Sequence, residues 1–332
     1  MDAYSLPIIF IALTGMAILI YAMLDGYDLG VGILLPMDSS VEAQRDTMIA
    51  SIGPFWDANE TWLVLAIGLL LVAFPGAYGI ILGELYLPVA IMLIGLVMRG
   101  VAFDFRAKAA LDHKLAWDRC FKTGSVLTTF SQGYMLGIYV MGFDNSWESQ
   151  AFALLSAFGV TSAFSYIGGA WLIMKAEGEL QQRAVRWTRI SGRTSFVGVI
   201  AVSLVNPLVN PGVFSRWFEY PLVMFVLLIP ALCFLAFVVN DVLLGRLPKP
   251  NDRHCWVPFA LVVCIFILCF SGLGFSFFPE IVPGMTIWEA ASSPKSLRFI
   301  LWGAIIVIPV ILMYTVLSYK VFHGKATELH YH

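Results

Sequence analysis

Leu24-Asp25-Gly26-Tyr27-Asp28-Leu29-Gly30-Val31-Gly32 decides how this 332-residue chain is read. The stretch closes an apolar run that opens at Pro7, and residues 7 to 24 carry no charge. A run of that length crosses a hydrocarbon core about 30 Å thick as one helix. Two carboxylates therefore arrive where a membrane helix should still be apolar. An aspartate at mid-membrane costs roughly 2.5 to 3.5 kcal/mol on insertion scales, so it marks an ion or proton path or a buried partner. At about 100° per residue Asp25 and Asp28 project about 60° apart, with Gly32 between them, and can act as one site. Gly26 and Gly30 form a small-x-x-x-small pair on the flank of that face, which invites the close approach of another helix.

Composition agrees with a membrane setting. The chain is 59% hydrophobic and 13% charged, against about 25% charged in soluble domains. A net charge of −2 without any block of like charges leaves a nucleic-acid partner no electrostatic basis. Met1-Asp2-Ala3-Tyr4 lacks the basic segment of a cleavable signal, so the first apolar run is expected to remain as a spanning helix. Cys120, Cys233, Cys255, Cys264 and Cys269 include no C-x-x-C pair and read as small hydrophobes.

Apolar windows place nine spans at about 7–35, 49–73, 77–98, 121–141, 151–174, 194–211, 221–244, 256–278 and 299–320. The expected architecture is an all-α polytopic membrane protein, a single membrane domain over residues 1–332 with two four-helix bundles and one peripheral helix. Asn206-Pro207 and Asn210-Pro211 should end or kink the sixth span near residue 206. Orientation follows from the 20 lysines and arginines. Only Arg216, Lys295 and Arg298 fall in connections after even-numbered spans. The others lie after odd-numbered spans or in the tail, which places the N-terminus outside and the C-terminus in the cytoplasm.

In that orientation Asp25 and Asp28 sit in the inner half of the first span, and Asp57, Asn59 and Glu60 sit at similar depth in the second. Asp57 and Glu60 share a helix face with Trp56, while Asn59 and Trp62 project roughly opposite. Up to four carboxylates are thus expected in one inner layer, where ionised like charges would repel one another. Glu84 is a separate intramembrane acid in the third span. Arg99 through Lys108 reads as a cytoplasmic helix end, with Asp104 able to pair with Lys108. The Lys175–Arg183 segment reads as a polar inner connector. Residues 277–293 suit a short element on the outer surface, and the tail ending at His332 reads as mobile.

All five histidines, His113, His254, His323, His330 and His332, fall in connections or the tail, so this chain is a poor candidate to ligate haem itself. It has no P-loop, no H-E-x-x-H and no dinucleotide fingerprint. The carboxylate layer fits three readings: proton conduction from the cytoplasm, ion pairing with a partner subunit, or the cation or substrate site of a stand-alone secondary transporter.

The first stretch, followed by Ser51-Ile-Gly-Pro54-Phe-Trp56-Asp57-Ala-Asn59-Glu60-Thr-Trp62-Leu63, closely resembles subunit II of the cytochrome bd-type quinol oxidases. Arg99 with Phe103-Asp104-Phe-Arg106, the segment from Lys175 to Leu180, and Thr286-Ile-Trp288-Glu-Ala-Ala-Ser292-Ser293 follow in the same order, so the likeness spans nearly the whole chain. Ala58 departs from the glycine common at that position. The resemblance implies a non-haem subunit of the bacterial cytoplasmic membrane, packed against a subunit I that carries the quinol site, two b-type haems and haem d. It implies quinol oxidation on the outer side and reduction of dioxygen to water with cytoplasmic protons. Asp57 would lie on the proton path and Trp62 near a dioxygen route, with a looser carry-over to Asp25, Asp28, Asn59 and Glu60. A bound quinone and a small single-helix accessory subunit are further expectations.

Overall fold

The structure, a computed structural model, describes residues 4–108, 111–209, 211–218, 220, 223–248 and 252–326. Asn210, Lys249 and the tail expected to be mobile, with His330 and His332, lie outside the described residues. Among the described residues fourteen α-helices, one short 3-10 helix (Ser39–Val41) and one small hairpin make two compact units, each assembled from separated stretches of chain. Among the described residues six helices are long and apolar enough to cross a membrane: Ser5–Leu34, Trp56–Ala73, Tyr86–Lys108, Trp147–Lys175, Val257–Phe277 and Pro294–Val321. A seventh span arises if Gly178–Leu208 and Gly212–Phe218, bent by 105°, count as one.

One unit comprises residues 1–25, 54–85 and 277–324. It holds most of α1 (Ser5–Leu34), then α3 (Trp56–Ala73), α4 (Pro75–Glu84), the hairpin β1 (Glu280–Val282) and β2 (Met285–Thr286), α13 (Ile287–Ala290) and α14 (Pro294–Val321). Its core follows helical spacing: Ala17 and Tyr21 on α1 meet Trp62 and Ala66 on α3, with Ile311 of α14 packed alongside. The C-terminal end of α3 is closed by hydrogen bonds. Ser292 donates its N–H to the Ala73 carbonyl (2.8 Å) and its hydroxyl to the Val72 carbonyl (2.7 Å), satisfying two acceptors that the end of α3 leaves open. Trp288 stacks on Tyr4 at 4.7 Å and donates its indole N–H to the Tyr4 carbonyl. Gly284 turns the hairpin at φ +76°, and Thr286 with Glu289 forms a capping box on α13. The backbone and hydroxyl of Thr286 hold the Glu289 carboxyl below its ordinary pKa.

The second unit comprises residues 26–53, 86–276 and 325–332. It contains the C-terminal end of α1 and α2 (Glu42–Ile52). It also holds α5 (Tyr86–Lys108), α6 (Leu111–Val140), α7 (Trp147–Lys175) and α8 (Gly178–Val209), each packed on the next in turn. The short α9 (Pro211–Phe218) and α10 (Val223–Val226) lead to α11 (Leu228–Leu244) and α12 (Val257–Phe277). The small-residue pair of the first stretch is used within this unit. Gly30 lies against the backbone of Phe164 and Gly168 so closely that a Cβ would overlap both, and Gly26 faces the Phe164 ring.

Several element boundaries differ from the apolar windows. The window 49–73 is divided between α2 and α3 at Gly53-Pro54-Phe55, where Pro54 has no N–H to continue the ladder. The window 77–98 divides at Leu85, because Pro88 cannot donate to the Glu84 carbonyl one turn back. Pro207 sits inside α8, which runs on to Val209 before the chain bends, so the expected stop near residue 206 comes slightly later. α6 begins at Leu111 rather than 121 and α8 at Gly178 rather than 194, because polar helical turns extend beyond the apolar stretch. The Lys175–Arg183 segment is correspondingly the junction of two long helices, with Gly178 at φ +61° starting the second.

Candidate functional site

Within the second unit, the acid face of α1 meets an arginine. Asp28 is 0% exposed, and its Oδ2 lies 3.9 Å from Nη2 of Arg99, itself 0% exposed on α5. Asp25, the last α1 residue of the first unit, is also fully buried. Charge counting places Arg99 at a cytoplasmic helix end, whereas the structure buries it. An arginine nine positions before the end of an apolar helix is the sequence signal for this pairing, since a buried guanidinium requires an acid. Tyr27, adjacent to Asp28, stacks on Trp171 at 4.1 Å; the Trp171 indole donates to the Ser51 carbonyl (3.3 Å), and Lys175 Nζ lies 5.0 Å from that ring. The backbone beside Asp28 is thus fixed on both sides, by the stacked rings and by the contact of Gly30 with α7.

Within the first unit, the head of α3 divides its residues between two faces. Asn59 and Trp62 are buried, Glu60 is half-buried and Asp57 is exposed. Asn59 donates through Nδ2 to the Leu24 carbonyl (3.4 Å) and accepts from the Tyr319 hydroxyl at Oδ1 (3.4 Å), while Tyr319 stacks on Phe55 at 4.6 Å. Asn59 therefore ties α1, α3 and α14 at one level. Trp62 fills the centre of the unit's core; its buried indole N–H has no hydrogen-bond partner among the described residues. Asp57 heads an exposed stripe that continues as Thr61, Val64 and Leu71, positions of a single helix face.

A buried ion network, which the sequence does not reveal, joins α2, the C-terminal end of α5 and the N-terminal part of α6. The fully buried Asp118 accepts from Nε of Arg45 (2.9 Å) and from Nε of Arg106 (2.5 Å). Arg106 also reaches Asp46 (2.7 Å), and Lys114 lies 3.6 Å from Glu42 and 3.8 Å from Asp46. Two guanidiniums on one carboxylate make a site that removal of any member leaves uncompensated. In sequence these residues look like scattered loop charges, because Arg45 and Asp118 lie 73 positions apart.

The α7–α8 junction is held from the tail. Lys325 donates to the Ala176 carbonyl and pairs with Asp252, both at 2.9 Å, and the Ala326 N–H donates to the Lys175 carbonyl at 2.8 Å. Gln181 donates to Asp252 (2.6 Å) and to the Ile173 carbonyl (3.0 Å). The hydrogen bond from Gln181, and then the bond and charge of Lys325, hold the Asp252 carboxyl below its ordinary pKa.

His113, His254 and His323 are exposed outside the apolar spans, which does not fit axial ligation of a haem among the helices. Among the described residues no group of three His, Cys, Asp or Glu is placed to hold a metal ion.

Buried acids and a buried arginine among long apolar helices define the class: a polytopic helical membrane protein. Comparison narrows it. Residues 6–322 match the family model described as cytochrome bd terminal oxidase subunit II, and the chain belongs to that family. "Cytochrome bd ubiquinol oxidase subunit 2" of Bacillus subtilis is 27% identical, over 93% of each chain. "Cytochrome bd-I ubiquinol oxidase subunit 2" of Escherichia coli is 26% identical, over 98% of this chain and 97% of its own. The fold resembles a chain of the bd oxidase from Geobacillus thermodenitrificans at a TM-score of 0.61 and 10% identity, covering 97% of this chain and all of that one. The chain is thus a membrane subunit of a bd-type respiratory oxidase and has a partner subunit I.

Proposed function

We propose that this chain is the non-haem subunit of a quinol:dioxygen oxidoreductase of the bacterial cytoplasmic membrane. It spans the bilayer nine times, as two four-helix bundles with one peripheral helix in a single membrane domain, N-terminus outside and C-terminus in the cytoplasm. It packs against a haem-bearing subunit I and supplies protons from the cytoplasm for reduction of dioxygen to water. The two b-type haems and haem d belong to that partner, which also carries the quinol site. A bound quinone and a small accessory helix complete the assembly. In this chain the path uses Asp57, with Asp25, Asp28, Asn59 and Glu60, and Trp62 lines a dioxygen route.

The observation that carries the reading is the position of Asp57. It is exposed at the head of α3, on a stripe whose further members Val64 and Leu71 are apolar and exposed. A carboxylate on a face that meets only lipid is costly, so such a stripe calls for a polar partner surface at its inner end. A proton carried by Asp57 can there be handed to another chain. Trp62, on the opposite face, sits in an apolar core that suits an uncharged diatomic molecule.

Replacing Asp57 with Asn tests the role. Turnover of the purified complex should fall by at least about tenfold, roughly 1.4 kcal/mol in barrier, with haem content and subunit stoichiometry unchanged. Loss of the haems in Asp57→Asn would make the residue structural and overturn the assignment.

A further inference from the structure

We propose that Cys233 and Cys269 form an oxidisable thiol pair, converted to a disulfide by lipid-soluble quinones. Cys233 lies on α11 and Cys269 on α12, and their sulfurs are 3.7 Å apart with both thiols free. A disulfide needs about 2.05 Å, so the sulfurs must close by under 2 Å. Side-chain rotation with a small helix adjustment covers that distance. The helices are already in contact one turn away, where a Cβ at Gly272 would stand 3.6 Å from Cγ2 of Ile229, an ordinary packing distance.

Access decides the oxidant. Cys233 is buried, while Cys269 is partly open. The surface around the pair is apolar: Leu232, Phe234 and Leu235 on α11 and Ile267 on α12 are all exposed. α12 is long and apolar enough to cross a membrane and α11 is a shorter apolar helix against it, so this apolar surface disfavours a charged or strongly hydrated oxidant. A quinone dissolved in lipid is not disfavoured. Both S–H bonds break and one S–S bond forms; the two electrons and two protons pass to the quinone, which becomes quinol. The remaining thiols serve as internal controls. Cys120 donates to the Met98 carbonyl at 3.6 Å, Cys255 to Asp252 at 3.5 Å, and Cys264 is exposed.

The cross-link would tie α12 to α11, whose Asn240 donates to Tyr166 on α7 (2.5 Å) and whose Asp241 holds Arg189 and Arg193 of α8. Oxidation thus fastens α12 to the row α7–α8–α11. The inference stands on the thiol geometry and does not depend on the proton path.

The test uses the full chain in native membranes, treated with duroquinone, then alkylated and mapped by mass spectrometry without reductant. Alkylation at positions 233 and 269 should drop severalfold together. A cross-linked peptide lighter by two hydrogens should appear, and dithiothreitol should reverse both changes. Cys120 and Cys255 should alkylate as before. In Cys233→Ala, Cys269 should alkylate as in untreated membranes; should that variant accumulate poorly, Cys269→Ala gives the mirror readout on Cys233. Unchanged alkylation at both positions overturns the proposal, as does equal loss of label from Cys269 once Cys233 is gone.

Discussion

Asp28 and Asp57 occupy opposite surroundings. Asp28 is sealed against Arg99, beside a helix contact too tight for any side chain at Gly30, whereas Asp57 stands exposed on one face of α3. A carboxylate enclosed with a guanidinium has its charge set by architecture, and its loss leaves the cation uncompensated. A carboxylate on an open face owes little to the fold of its own chain and is available to another. The contrast separates residues that hold the subunit together from residues that work across its boundary.

The largest test of the enclosed kind is Asp118→Ala, which strands Arg45 and Arg106 together. It should cost about 3–5 kcal/mol, read as loss of folded chain on detergent extraction. Recovery of normal amounts would show that the network is wet rather than buried. Asp28→Asn should follow at about 3 kcal/mol, the low end for a broken buried pair, because its 3.9 Å separation is longer than the 2.5 and 2.9 Å of the Asp118 bonds. Its melting temperature should drop well below that of Asp57→Asn; equal melting of the two would erase the distinction drawn here. Thr286→Ala removes the α13 cap and should cost about 1 kcal/mol, visible as faster amide exchange at Glu289.

The smallest effect is a pH dependence at Asp252. Its folded pKa is depressed, so the bond it makes contributes stability above the ordinary value of 3.8 and loses it as pH falls through the lower folded value. Its side chain is 36% exposed, and solvent screening keeps the contribution modest. Exchange of the Ala326 amide should accelerate only below about pH 3.8. Acceleration at neutral pH would detach the tail from this carboxylate.

Where the apolar run was uninterrupted, hydropathy located the helices well, as for α1, α12 and α14. The breaks at Gly53–Phe55 and Leu85 were hidden because apolar residues continue across them, and only Pro54 and Pro88 mark the lost donors. Polar turns at the starts of α6 and α8 were equally hidden, because hydropathy reports the bilayer and not the helix. The acids of the first stretch were legible as costly residues. Their partner was not: Arg99 lies 71 positions beyond Asp28, and by sequence it reads as a surface charge marking orientation. The same holds for Arg45 and Asp118, whose pairing is a property of α2, α5 and α6 meeting in space. The cysteines read as inert one by one, and only the approach of α11 to α12 makes two of them a pair.

The bonds from Ser292 to the end of α3 have a consequence for biosynthesis. Val72 and Ala73 leave the ribosome some 220 residues before the serine that covers their carbonyls. The unit they belong to cannot finish until the last helix has been translated. The other unit draws nearly all of its chain from residues 26–276 and can consolidate earlier. Nascent chains arrested before α14 should therefore carry a protease-resistant 86–276 region while α3 and α4 are still digestible.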